Sequence, residues 1–173
     1  MPLLAELIQE LEQETPATRR LLERVPDKAL DWSPHPKSTT LGALANHIAM
    51  LPRGIVEIAK QDTFDVTQPG PRPRPASAAE LLTTLDESVA FARAELSAMT
   101  QEDMERPWRL MFGEKELLKI TRGALLRTIL LNHWYHHRGQ LTVYLRENNV
   151  PLPAIYGPSA DEMPFGLGAP ARS

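Results

Sequence analysis

His133 and His137 stand four residues apart in the run Leu130-Leu131-Asn132-His133-Trp134-Tyr135-His136-His137-Arg138-Gly139-Gln140-Leu141, a stretch suited to a buried helix. Four residues is close to one helical turn, so both imidazoles leave the same face and can converge on one point. Two neutral imidazoles so placed make a clamp for a divalent metal, and burying them without a partner is costly. His47, in a separate amphipathic segment, is a third imidazole able to complete the set. The spacing equally suits two core histidines, each satisfied by a carbonyl or a water.

A helical wheel at about 100° per residue places Leu126, Leu130, His133, His137, Gln140, Leu141 and Tyr144 in one sector roughly 100° wide. His133 and His137 are thus expected inside the core-facing stripe. His136 falls about 90° from its centre and is expected to face solvent or to support a ligand from outside. His35, between Pro34 and Pro36, is expected in an extended loop and is a poor ligand.

Three neighbours are candidates for chemistry at such a site. Arg138 can orient an anionic substrate, although a surface ion pair is its plainer role. Gln140, in the core sector, needs a buried partner and can hydrogen-bond a species at the site. Tyr144 closes the pocket or belongs to the core. Trp32, Trp108 and Trp134 line a pocket or simply pack. Asp161 and Glu162 are candidate acceptors for the outer ring N–H of a ligating histidine, with the open surface as their default.

The helices that must position these residues are legible as apolar periodicity. The first spans about Leu3 to Arg24; Pro16 should kink or restart it, with Thr15 as cap. The second runs from about Thr40 to Lys60, with Leu41, Leu44, Ile48, Leu51, Ile55 and Ile58 on one stripe and Pro52 bending it. The third opens on Ser77-Ala78-Ala79-Glu80, a capping box, and reaches about Met99. The fourth extends from near Thr121 to about Asn148 and is stopped by Asn149-Val150-Pro151. Pro69 to Pro75 should be a stiff, extended linker. Residues 101 to 120 have room for a short hairpin around Met111-Phe112-Gly113-Glu114, and the tail from Pro151 to Ser173 should pack as coil. The 173 residues read as a single all-α domain, a four-helix bundle with long crossover loops.

Composition narrows the function. With no cysteine, any metal is held by histidine and carboxylate, and any thiol chemistry must import its thiol. The net charge of −3 and the scattered basic residues, Arg72-Pro73-Arg74 being the one local cluster, speak against nucleic acid as partner. No apolar run approaches a membrane span and the N-terminus lacks the pattern of a signal peptide, so a cytoplasmic protein away from membranes is expected.

Three stretches together resemble the DinB family of metal-dependent four-helix bundles, the DinB/YfiT-like proteins. They are Leu30-Asp31-Trp32-Ser33-Pro34-His35-Pro36-Lys37-Ser38 leading into Thr40-Leu41-Gly42-Ala43-Leu44-Ala45-Asn46-His47-Ile48-Ala49, then His133 to Leu141, then Val150-Pro151-Leu152-Pro153 followed by Ile155-Tyr156-Gly157-Pro158-Ser159-Ala160-Asp161-Glu162. The resemblance covers nearly the whole chain. It implies a divalent metal, zinc or nickel, held by His47, His133 and His137, a linker that crosses over between the second and third helices, and a homodimer. Family members that transfer low-molecular-weight thiols match only at the fold and metal site; no thiol-recognition motif is present. The implied function is a metal-dependent transferase or hydrolase acting on a small-molecule substrate. The alternative is a non-catalytic, metal-binding, stress- or DNA-damage-inducible protein.

Overall fold

Four long helices form the body of the computed structural model, which describes residues 3–68, 70, 73–164 and 167. They are α1 (Leu3–Leu22), α2 (Leu41–Ala59), α3 (Ala78–Ala98) and α6 (His133–Glu147). The last is extended backwards by a seven-residue π-helical segment, Leu126–Asn132, and the short α5 (Arg122–Leu125). Three of the starts carry a side-chain cap. Thr40 Oγ1 accepts from Ala43 N, Ser77 Oγ from Glu80 N, and Thr121 Oγ1 from Ala124 N. The capping box expected at Ser77 forms only in part: Glu80 reaches back past the N-cap, its carboxylate accepting from Ala76 N at 2.6 Å. At the far end of α6, Asn149 adopts φ +57°, a left-handed stop just before Val150-Pro151.

α1 packs on α3 and α6, and α2 packs on the same two, so the order around the bundle is α1–α3–α2–α6. Side-chain pairs give the directions. Glu12 meets Arg93 and Arg19 meets Asp86, so α1 and α3 are antiparallel. Arg53 N meets Ser88 Oγ and Lys60 meets Glu95, so α2 and α3 run parallel. A parallel neighbour requires the chain to return along the full 19-residue helix, which is why the α2–α3 linker is long. Asn46 Nδ2 holds that linker to α2 through the Pro73 carbonyl at 2.8 Å. Of the stiff segment expected there, Pro69, Pro71 and Arg72 lie outside the described residues, as do Phe165, Gly166 and 168–173 of the tail.

Two prolines sit inside helices without ending them. The expected restart at Pro16 does not occur: α1 is continuous and Thr15 is no cap, its hydroxyl donating to the Leu11 carbonyl at 2.7 Å. At Pro52 the neighbours take up what the ring disrupts. Pro has no N–H, so the Ile48 carbonyl loses its helical donor. Trp134 Nε1 donates to it instead at 2.9 Å, and Arg53 N donates to Ser88 Oγ at 2.9 Å.

The expected hairpin is present and larger than a pure bundle requires. After α4 (Gln101–Glu105), strand β2 (Pro107–Phe112) pairs antiparallel with β3 (Lys115–Thr121), and β1 (Thr63–Asp65) adds parallel to β2. Gly113, at φ +56°, is the first residue of the two-residue turn, where glycine carries no steric penalty. Trp108 is buried and anchors this sheet to the end of α2 through Nε1 to the Ile58 carbonyl, 3.2 Å. Ile58 lies 11 residues beyond His47, roughly 16 Å along the helix, so the sheet stands away from the histidines.

The coil tail is pinned rather than loose where it is described. Leu152 N donates to Asp161 at 2.8 Å, Arg146 pairs with Asp161 at 2.5 Å, and Arg20 bonds the Ala154 carbonyl and Glu162. Asp161 and Glu162 thus fasten the tail to α6 and α1.

Candidate metal centre

His47 on α2 and His133 and His137 on α6 meet. One ligand atom from each lies within 4.8 Å of the others. The ring centroids are 4.3 Å apart for His133–His137, 4.6 Å for His47–His137 and 5.3 Å for His47–His133. Nε2 of His133 and Nε2 of His137 approach to 2.6 Å. His35 takes no part. It sits in a turn closed by Ser38 N to the His35 carbonyl rather than in an extended loop, and its Nδ1 accepts from Lys37 N.

The histidines are not inside the core stripe, as the wheel predicts, but along its edge. The buried positions of α6 are Trp134, Arg138, Leu141 and Leu145, whereas His133 and His137 are half-buried and His47 is exposed. The π segment explains the shift. There the His133 N–H reaches the Thr128 carbonyl five residues back, so each residue turns less than in an α-helix. The stripe accordingly advances by fours through Arg122, Leu126, Leu130, Trp134 and Arg138. A wheel of uniform pitch accumulates that error and brings the histidines too far inward. The cluster therefore opens to solvent on its His47 side.

The donor set suits a cation. His137 Nδ1 donates to Gln140 Oε1 at 2.6 Å, which leaves the Nε2 lone pair facing His133. Two lone pairs cannot face each other at 2.6 Å. Either His133 Nε2 carries a proton, or the pair opens and a cation lies between the rings. In the first case the buried Nδ1 of His133, which has no well-formed hydrogen bond, is left as an acceptor without a donor. In the second that nitrogen carries the proton, next to the Ile129 carbonyl that favours it electrostatically. Nitrogens on bonds of about 2.05 Å at a tetrahedral angle stand roughly 3.3 Å apart, so a small opening of the pair seats an ion. Burial holds both His133 and His137 below the ordinary imidazole pKa. The proximity of His137 adds to this at His133, and the Gln140 bond opposes it at His137. The shift favours the neutral ring, the form that ligates.

The other candidates sort differently. Gln140 is exposed, not buried, and its Oε1 holds the His137 ring through Nδ1. Arg138 is the opposite case: its side chain is 4% exposed rather than on the surface, and it points towards α1. It donates to Glu14 Oε2 at 2.6 Å, to the Glu14 carbonyl and Thr18 Oγ1 at 3.1 Å each, and to Tyr156 OH. Its guanidinium also lies over the Trp134 and Tyr135 rings. Arg138 therefore joins α6, α1 and the tail. Tyr144 meets the Trp32 ring edge-on at 5.7 Å, two turns along α6 from His137. His136 is exposed, with its ring centroid 5.0 Å from that of His137 and 6.5 Å from that of His133. Sequence reasoning missed the Trp134–Ile48 bond. The signal was available, since a proline four residues past Ile48 leaves that carbonyl without a helical donor.

A half-open cluster of three histidines between two helices of a four-helix bundle defines a class of candidate metalloprotein. The chain belongs to the DinB superfamily, whose sequence profile matches residues 10–141. It is 33% identical over 162 residues to the uncharacterized protein YrdA of Bacillus subtilis, covering 92% of each chain. Its fold is similar to that of a DinB-like protein from Bacillus cereus, with a TM-score of 0.67 and 27% identity over 87% of this chain and 95% of that one. YfiT from Bacillus subtilis, described as a probable metal-dependent hydrolase with an unusual four-helix bundle topology, shares the fold at a TM-score of 0.61 and 20% identity, covering 84% of this chain and 87% of its own. No described helix is long and apolar enough to cross a membrane.

Proposed function

We propose that this protein is a metal-dependent enzyme acting on a small molecule, with His47, His133 and His137 holding a divalent ion, zinc or nickel. The observation that carries the reading is the convergence of three imidazoles on one point that stays open on its His47 side. Three protein ligands with an open position is the pattern of catalytic rather than structural sites. When bound, the ion supplies Lewis-acid chemistry, lowering the pKa of a water or thiol or polarising a carbonyl. His133 and His137 fix the inner side of the centre, and Gln140 holds the His137 tautomer. A thiol, if the reaction uses one, comes from a low-molecular-weight cosubstrate, because the chain has no cysteine. The description of YfiT as a probable metal-dependent hydrolase supports the hydrolase branch of the same reading.

The test is elemental analysis of protein purified without chelator or nickel resin, for the wild type and for His47→Ala and His137→Ala. The expected result is close to one divalent ion per wild-type chain and loss of it in both variants. Unchanged metal content in the variants sinks the assignment. A metal-dependent turnover screen with thiols, electrophiles and esters then separates transferase from hydrolase, and metal without turnover leaves a binding protein.

A further inference from the structure

We infer that Trp134 is a positioning residue for the histidine cluster, acting through the Ile48 carbonyl that Pro52 frees; the inference rests on the metal reading above. Ile48 immediately follows His47, and Trp134 immediately follows His133. The hydrogen bond from Trp134 Nε1 to the Ile48 carbonyl, 2.9 Å, therefore joins the neighbours of two ligands carried by different helices. Both residues are 0% exposed, so water cannot replace the donor. With Pro52 four residues on, the helix cannot supply one either. The carbonyl's need for a partner and the relative placement of α2 and α6 are thus satisfied by one interaction.

The geometry makes this tie relevant to metal binding. A slip of one residue between the helices moves His47 by about 1.5 Å relative to His133, against a tolerance of roughly 0.2 Å in metal–ligand distances. The same turn of α2 is held from its other side by Arg53 N to Ser88 Oγ on α3, 2.9 Å, with Ser88 buried. Pro52 thus marks the point where α2 is fastened to both neighbours, one turn beyond the ligand it carries.

The experiment compares four proteins for zinc affinity, by competition with a chromophoric chelator, and for apo stability, by urea unfolding. Trp134→Phe removes the indole N–H and is expected to weaken zinc about 10-fold or more, as loss of groups that orient ligands does. Trp108→Phe removes an equivalent indole bond, to Ile58, at the far end of α2. It should lose stability while keeping zinc affinity within about twofold, because distant sites act independently. Trp134→Phe combined with Pro52→Ala gives the Ile48 carbonyl a helical donor again without restoring the tie between helices. Its stability should recover in part while its zinc affinity stays low, and it keeps the test readable if Trp134→Phe alone folds poorly. Zinc affinity of Trp134→Phe equal to wild type overturns the inference, as does affinity that returns together with stability in the double variant. A wild type that binds no divalent ion overturns the metal reading and this inference with it, whereas a zinc-binding wild type unaffected by Trp134→Phe overturns this inference alone.

Discussion

Replacing Gln140 by leucine isolates one hydrogen bond at the candidate centre while keeping side-chain bulk. Gln140 Oε1 accepts from His137 Nδ1 at 2.6 Å, and this bond both selects the tautomer with Nε2 free and raises the basicity of the ring. Groups in this position are worth about 10- to 100-fold in metal affinity, or roughly 1.4–2.7 kcal/mol. Gln140 is exposed, so water can take over the released N–H, and the expected loss lies at the low end, about tenfold or 1.4 kcal/mol. Gln140→Glu should act in the opposite direction, because a charged acceptor raises the ring's basicity further. Zinc competition titrations at pH 7.5 measure both. Apo stability in urea should barely change, since the residue is on the surface, and this separates a ligand effect from a folding effect. Equal zinc affinities for Gln140→Leu and wild type would show that the bond does not orient His137 for a metal.

Three further outcomes follow from the geometry. His133 and His137 titrate below their unfolded value of about 6.5, so below that pH the unfolded chain takes up protons that the folded one resists. Apo stability should therefore fall as pH drops from about 6.5 towards 5, above most carboxylate titration; urea midpoints across that range test it, and an identical slope in a His133→Gln/His137→Gln protein refutes it. Gly42→Ala places a Cβ 2.9 Å from the Leu30 carbonyl oxygen and 3.2 Å from Leu30 Cβ. The backbone clash should cost about 1–3 kcal/mol despite the better helix propensity of alanine, and undiminished stability in urea would refute it. Arg138→Ala leaves the Glu14 carboxylate, 15% exposed, without its guanidinium. A loss of about 3 kcal/mol in unfolding free energy is expected, and a loss below about 1 kcal/mol would mean that Glu14 is solvated in place.

The parts of the molecule that local rules govern were legible in the residues. The cap at Ser77 and the stop at Asn149-Val150-Pro151 are local chemistry, and α3 begins and α6 ends close to where those signals place them. The glycine turn of the hairpin is of the same kind. What local rules do not contain is pitch and partner. A uniform wheel cannot foresee seven residues of π-helix, and so it put Gln140 inside and Arg138 outside when the reverse holds. The parallel pairing of β1 with β2 also escaped, because it joins segments more than 40 residues apart through a three-residue strand.

By itself, the sequence determined that two imidazoles one turn apart share a helix face, that a third lies on another helix, and that no cysteine competes with them. These follow from chain geometry and composition. Only the tertiary structure decided that the three rings converge, that they do so at an open edge, and which neighbours serve them. Those outcomes depend on how α2 and α6 are set against each other. That setting comes from a π-helical change of pitch and from a buried carbonyl that must find its donor on another helix.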